Sequence, residues 1–588
     1  MHYLRLCFSL SITVCMLGPI GLASPARGAA PTVAAAMPPP PRVIVPDQFA
    51  TIQLGIDSGA DTVLVRSGVY SETPVINRKL VLLRHPDDLV ALPEVDGVTL
   101  AAQPNTLNPC VIGFLHSRGP LHINVPNAGE AQVAIQSCAL DRSITAIPDA
   151  GVDLTVQDCF IQRPITLSLS RIVFKNNHVV GGGLTVRANG INDSSIEGNV
   201  IEGPADAGIR FINPNQSPTI KGNNVSGVID GIVVENPFFT AIKDNVVQHC
   251  VGHGIRALSG IFLTLDRNWV SGCGGNGFDI IRSDAVWQDN RVDSIGLAGI
   301  HVDGSGLDYQ DIRRTLVTRT GGHGIHIEGE IDSLTLTSNV VRFTNGDGVL
   351  IGSGSHVKAQ GNVIGRCGAR GLAATLAASL RVRSNTVYLN GGAGLELGGS
   401  PTDSVDHNVS YGNATYGLHW MGAGSPRSVC NDWFGNRTAQ TLGTLPGASD
   451  LSVDPLFCDL PHDSVHVSQF SPVLNPVGCG LIGARGQGCT QATSVPGDGP
   501  ELRVAFGARP TPATGSVHFS WSGLGRAVEL SVYDVSGAKR WSIDLGAQVT
   551  SYAWRCTDSR GRRLAPGAYY AMLRSGPSRS VARLVLVR

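Results

Sequence analysis

Residues Gly254-Ile-Arg-Ala-Leu-Ser-Gly-Ile-Phe-Leu-Thr-Leu-Asp-Arg-Asn268-Trp-Val-Ser-Gly-Cys-Gly-Gly-Asn276-Gly277 hold one unit of a pattern that organises the chain from 199 to 420. A small or polar residue, then Gly, then an aliphatic, returns at Gly208, Gly231, Gly254, Gly277, Gly299, Gly324, Gly348, Gly371, Gly394 and Gly417, in steps of 23, 23, 23, 22, 25, 24, 23, 23 and 23 residues. An Asn followed closely by Val keeps the same period at Asn199, Asn224, Asn245, Asn268, Asn290, Asn339, Asn362, Asn385 and Asn408. Two ladders in one period mean stacked coils rather than one globular core.

The residues after each glycine alternate, as in Ile232 and Val234, Phe278 and Ile280, or Ile325 and Ile327, and period two is strand period. A second alternating run precedes each Asn, as in Leu263 and Leu265 or Leu334 and Leu336, so each coil carries at least two short strands. Gly and Asn at the corners suit left-handed or tight turns. A leucine-rich repeat has an overlapping period and its own fixed Asn, but it repeats Leu at several fixed positions and spends half of each turn on a helix or arc. Here that half is Gly, Ser and β-branched residues, which predicts an all-β solenoid.

Composition agrees with an ordered, multidomain chain: 588 residues, 42% hydrophobic, 15% charged, with 72 glycines. A net charge of −1 gives no electrostatic reason to expect nucleic acid or an anionic membrane as partner. Residues 1–23, with Arg5 ahead of an apolar run and small residues near Ser24, read as a signal peptide, and 24–42 as an Ala/Pro-rich leader. No later stretch approaches a membrane span in length. The chain is therefore expected to be secreted or at the cell surface. Eleven of the thirteen cysteines lie beyond the signal, where disulfides are permitted. Cys250 and Cys273 fall on neighbouring coils and either pair or form an inward sulfur ladder, whereas Cys430, Cys458, Cys479 and Cys489 bunch where the solenoid must be closed.

Near the start, Phe49-Ala-Thr-Ile-Gln, Asp61-Thr-Val-Leu-Val and Gly68-Val-Tyr-Ser-Glu read as an amphipathic helical turn followed by a strand, covering the first open coil. These segments and the later ladders resemble the right-handed parallel β-helix proteins of the pectate-lyase-like superfamily, over residues 43–489. The resemblance implies a right-handed parallel β-helix with an N-terminal cap and a Cys-rich closing segment. Residues 490–500 read as a linker. Beyond it, Val517-His-Phe-Ser-Trp, Val528-Glu-Leu-Ser-Val-Tyr and Pro566-Gly-Ala-Tyr-Tyr-Ala are alternating strands of a small β-sandwich over 501–588. It resembles the immunoglobulin-like domain of flagellar hook-capping proteins and related modules, which implies surface attachment or sorting.

Chemistry is then sought on the outer face. Positions one and three after each glycine point inward, because burying an aliphatic is worth roughly 1.5–3 kcal/mol, so positions two and four point out. This brings Asp279, His301, Asp303, His326 and Glu328 onto one surface, with Arg256 one coil below. At the rung spacing of about 4.8 Å, Asp303 over Glu328 predicts a like-charge pair with one raised pKa, beside histidines that titrate near neutrality. Such a set suits general acid and base work on a glycosidic bond or a uronate α-proton, or a divalent cation such as Ca2+. The period is most disturbed here, Thr315 replaces the Asn, and Asp308, Tyr309, Asp311, Arg313 and Arg314 are expected in an enlarged turn, where Tyr309, Arg313 and Arg314, together with Arg256, would bind substrate.

Two Gly-His-Gly triplets at His253 and His323 resemble a polygalacturonase motif, but the same slot holds Asp230, Asn276 and Asp347 elsewhere, and the family's accompanying motifs are absent. The motifs of pectin methylesterases and calcium-dependent pectate lyases are absent too. The sequence thus predicts a secreted or surface β-helix that binds or displays against a polysaccharide or cell-surface glycan without catalysis. The alternative is a polysaccharide lyase, hydrolase or epimerase using the charged cluster.

Overall fold

The computed structural model describes residues 42–588, apart from 89–90, 102–108, 127–130, 148–149, 189–193, 215–216, 491–504, 523–527, 536, 547–548, 576–577 and 588. The residues read as a signal peptide, nearly all of those read as a leader and most of those read as a linker lie outside the described residues. The chain divides into two units, one formed by residues up to 458 with 465–492, the other by 459–464 and 493–588.

The first unit is a parallel β-solenoid. Its coils carry three strands, as in Ile255–Leu258, Leu263–Asp266 and Trp269–Ser271, or Ile300–Asp303, Leu307–Arg313 and Leu316–Thr320. The short third strand begins just after the ladder Asn and was hidden in sequence by its length. Each strand pairs in parallel with its counterpart one coil away, for example Ile300↔Ile325 and Asp303↔Glu328. The inward aliphatics Ile255, Ala257, Phe278, Ile280, Ile300 and Val302 are buried in one continuous core.

The ladder asparagines are buried and joined from coil to coil. Asn223 Oδ1 accepts from the backbone N–H of Asn199 at 3.0 Å and from its Nδ2 at 2.8 Å, while Asn199 Nδ2 also donates to Phe174 O at 2.9 Å. Asn223, not the expected Asn224, occupies the column, because the side chain of Asn224 begins the third strand and faces solvent. Nor do these asparagines supply the left-handed corner. The residue before each one does, including Asp244, Arg267, Asp289, Ser338 and Ser384, all with φ between 51° and 57°.

The ladder glycines have a different cause from the one expected. A Cβ on Gly254 would lie 2.2 Å from Val270 Cγ1 and 2.6 Å from Gly277 O, so that position is glycine because the third strand packs onto it, not because of its φ. Cys250 and Cys273 are buried and free, giving the sulfur ladder.

At the N-terminal end, the helix Ile52–Asp57 is capped by Thr51, whose side chain accepts from Leu54 N, and it buries Ile52, Gly55 and Ile56. At the other end, disulfides Cys430–Cys479 and Cys458–Cys489 tie the closing segment. The second unit has two antiparallel sheets, one of Ala505–Arg509, Val517–Ser522 and Ser551–Trp554, the other of Val528–Asp534, Lys539–Leu545, Gly567–Ser575 and Ser578–Leu586. Both contribute to one core around Phe519, Leu530, Val532, Trp554 and Leu584. Among the described residues no helix is long and apolar enough to cross a membrane.

Near the closing end sits a buried acid. Asp432 Oδ1 accepts from Val453 N at 3.0 Å, its second oxygen is buried without a hydrogen-bond partner, and burial pushes the carboxyl up to about 7, with Asp454 adding to the rise. A folded pKa above the unfolded value of about 3.9 means that this carboxyl's contribution to stability is present below pH 4 and is lost as pH rises through 7. The isosteric Asp432→Asn should therefore melt a few degrees above the parent at pH 8, with the difference shrinking towards pH 5 in differential scanning calorimetry. A difference that stays constant with pH would show that the carboxyl ionises normally.

Candidate functional site

The outward positions of the strands after Gly254, Gly277, Gly299 and Gly324 build one polar surface, and its centre is Asp279. That residue stands in an outward position yet is only 3% exposed, because its neighbours close over it. Oδ1 accepts from Asn276 Nδ2 at 3.0 Å and from His301 Nδ1 at 2.7 Å, while Oδ2 faces Arg256 Nε at 3.0 Å and His253 Nε2 at 3.9 Å. Burial alone would raise its carboxyl, but the His301 hydrogen bond, the nearby His253 ring and the Asn276 amide outweigh it and hold the pKa below the usual carboxylate range.

His301 is held from both sides, with Nδ1 on Asp279 and Nε2 3.2 Å from Glu328 Oε2. A doubly protonated ring can donate to both carboxylates at once. Accordingly, the Asp279 hydrogen bond raises its pKa against the cost of burial, and Glu328 adds to the rise. His326 lies one coil along, its ring centroid 5.4 Å from that of His301 and 5.0 Å from that of His323. Its pKa moves the opposite way, lowered by burial and by the neighbouring His323 and His301.

The expected Asp303–Glu328 pair does not form as a charge pair. The two are register neighbours, but Asp303 Oδ1 accepts from Ser305 Oγ at 2.8 Å and from Ser305 N at 3.2 Å, whereas exposed Glu328 turns to His301. The predicted enlarged turn is also absent. Leu307–Arg313 is a strand on the coil's second face, so the inserted residues lengthen that strand. Arg313 is bound to Asp311 and Arg314 to Asp289, so neither is brought to the cluster. Tyr309 instead ends a line of aromatic rings on the adjoining corner, Phe238, Phe239 and Phe262, in which Phe239 and Phe262 stack at 4.9 Å.

His253 and His323 share one structural task. Each Nδ1 accepts a backbone N–H from the equivalent residue of the next coil, Asn276 and Asp347 respectively, both at 3.0 Å. Asp230, Asn276 and Asp347 do the same, accepting from His253 N, Ala298 N and Arg370 N.

That slot leads to a second ionised group that sequence reasoning missed. Arg370 Nε and Nη2 bind Asp347 at 2.9 Å, its Nη1 binds Glu396, and Glu396 Oε2 lies 3.0 Å from His419 Nδ1. The signal was legible in the residue before each ladder glycine, where Arg370 follows Asp347 by one period. A shallow groove starts at Glu330, on the coil of Glu328, and runs over Gly354, Leu376, Ala377, Gly399 and Gly422. Gly354, Ala377, Ala378, Gly398, Gly399 and Gly422 make up more than half of its lining.

Two family models match the sequence: "Right handed beta helix region" over residues 282–433 and "Periplasmic copper-binding protein (NosD)" over 165–342. Neither reaches half of the chain. No curated protein matches. Among solved structures, the chain is similar to the A-module of mannuronan C-5 epimerase AlgE4 from Azotobacter vinelandii at 13% identity, covering 68% of this chain and 95% of that one with a TM-score of 0.24. It is similar at 12% identity to PfbA, a surface adhesin of Streptococcus pneumoniae, covering 67% and 90% with a TM-score of 0.18. Dimeric latent PorU from Porphyromonas gingivalis is 18% identical over 16% of this chain, which spans only 10% of PorU, with a TM-score of 0.13. At scores this low none of these likenesses bears on function.

The opposed shifts of the two histidines are directly measurable. In selectively labelled, chelator-treated protein, the ring signals of His301 should titrate above the ordinary value of about 6.5 and those of His326 below it. The stability that His301 draws from its carboxylates is thus present below pH 6.5 and lost as pH rises through the folded value. Asp279→Asn should drop the His301 pKa while leaving His326 low. A His301 pKa that stays raised in that variant would assign the effect to something other than Asp279.

Proposed function

We propose that this is an exported β-helix protein whose outer face, over the coils from Gly254 to Gly348, binds or displays against a polysaccharide or cell-surface glycan without catalysis. The observation that carries this reading is how the charges are arranged. Arg256, Asp279, His301 and Glu328 are cross-linked to one another, forming a fixed polar plate beside a groove floored by small residues. A plate of fixed donors and acceptors can recognise hydroxyls and carboxylates with little ordering cost. The exposed ring line of Phe238, Phe239 and Phe262 offers apolar contact on the next corner.

Residues 1–23 act in this reading as a signal peptide, 43–489 as the binding solenoid, and 501–588 as an immunoglobulin-like sandwich that attaches or sorts the protein at the surface. The leader-like start of the sequence and the word "periplasmic" in the name of one matching family support an extracytoplasmic location.

A catalytic reading is favoured by one observation, the opposite pKa directions of His301 and His326. Neighbouring groups pushed apart in this way suit an acid and a base, as a polysaccharide lyase, hydrolase or epimerase requires.

One experiment separates the two. The purified full chain is presented with immobilised acidic and neutral polysaccharides while unsaturated uronates and reducing ends are followed in solution. Retention on one polysaccharide class without product, weakened at least tenfold by Arg256→Ala and by His326→Ala, is the expected result. Product formation abolished by Asp303→Ala and Glu328→Ala would replace binding with catalysis at this site. Retention unaffected by all four substitutions would remove the cluster from the function.

A further inference from the structure

Three side chains at the solvent edge of the plate, which the glycan-binding reading takes as hydrogen-bonding groups, also carry a set of metal-donor atoms. Among the described residues, His301, His326 and Glu328 bring one ligand atom each within 4.8 Å of the others. We propose that they form a surface site for a first-row divalent transition ion of the zinc class, with Asp279 as the positioning residue behind it.

The argument starts from the gap between His301 and Glu328. Asp279 Oδ1 accepts a hydrogen bond from His301 Nδ1–H at 2.7 Å, which leaves Nε2 aimed outward at Glu328 Oε2, 3.2 Å away. Two acceptors at that distance need a cation between them, either the second imidazole proton or a metal. An ion about 2.1 Å from each atom would subtend roughly 100° across 3.2 Å, close to the angle that four- or six-coordinate sites use. His326 adds the third donor from the adjacent coil, in register with His301. Glu328 is the adjustable member, since its side chain is 65% exposed and can swing to close the set.

Donor chemistry selects the ion. Two imidazoles and one carboxylate are borderline ligands that suit zinc, cobalt, nickel or copper, whereas calcium takes six to eight oxygens. For this donor set we therefore favour a transition ion over the calcium expected from the whole Asp/His/Glu cluster. Behind the ligands, the Asp279–His301 pair is the carboxylate–imidazole support that metal-binding histidines ordinarily have. The support is rigid because Asp279 is itself fixed by Asn276 and Arg256. Three protein ligands on an outer face leave the remaining positions of the ion open to solvent or to an oxygen ligand.

The site does not depend on whether a glycan binds, and the test involves none. Full-length chain carrying no polyhistidine tag is stripped with chelator and titrated with Co2+, following the visible d–d absorption, with Zn2+ and Ca2+ as competitors. One Co2+ per chain, displaced by Zn2+ but not by excess Ca2+, is expected. His326→Ala and Glu328→Gln should each weaken binding at least tenfold, Asp279→Asn about 10–100-fold, and the exposed Asp332→Asn should leave Co2+ binding unchanged. Glu328→Gln alters an exposed side chain and so tests the site even if Asp279→Asn fails to fold. Co2+ binding that survives both His326→Ala and Glu328→Gln, or displacement by Ca2+, would overturn the proposal.

Discussion

The column of buried asparagine amides is the constraint on which the solenoid depends. A parallel coil must turn back on itself, and at each turn backbone N–H and C=O groups leave the strand ladder inside the protein, where an unpaired group costs about 1–3 kcal/mol. The amide answers both needs. Asn268 Oδ1 accepts two N–H groups from Asn245, and Asn268 Nδ2 donates to Ile242 O. The preceding residue is thereby held in the left-handed region even where it is Arg267 or Asp289 rather than glycine. That conformation costs of order 1 kcal/mol for a non-glycine residue, less than the hydrogen bonds it makes possible.

The same column explains why the polar plate stays in register across the irregular coils. At Thr315 the amide is missing, but its backbone N–H still reaches Asn339 Oδ1 at 3.0 Å and its hydroxyl donates to Arg313 O at 3.2 Å. The extra residues of that coil are absorbed ahead of Thr315, by the seven-residue strand Leu307–Arg313 on the second face. The first face keeps Asp279↔His301 and His301↔His326 in direct register. An insertion that would have scattered the cluster, had it fallen between Gly299 and Asp303, is confined to a neighbouring side of the coil.

Periodicity made the solenoid readable, and alternation told inward from outward residues, because both are consequences of backbone geometry that every coil repeats. Causes were harder to read than positions. The glycines mark close packing against residues such as Val270 rather than left-handed turns, and a pattern of spacing cannot distinguish the two. The slip from Asn223 to Asn224 has the same root, since adjacent asparagines satisfy one spacing rule equally well and only burial separates them. In the cluster, column membership correctly grouped Asp279, His301, His326 and Glu328, yet it assigned Asp303 and Glu328 to each other. Side-chain rotamers decide such pairings, and Ser305, two residues from Asp303, captured it locally.

Asp279 shows how a surface position becomes the interior of a site. Its Cβ points outward with the others of its column, so nothing in the strand pattern marks it for burial. What buries it is the company of Asn276 and His253 in the slot before the ladder glycines. Those residues are fixed there by a structural duty, accepting or donating backbone hydrogen bonds between coils. Their other polar ends, Asn276 Nδ2 and His253 Nε2, face the carboxylate from below, and Arg256 and His301 close it from either side. The scaffold's own hydrogen-bond column thus supplies half of the shell that desolvates Asp279 and keeps it ionised. For that reason His253, as a member of the scaffold column and of the Asp279 shell, belongs to the fold and to the site together.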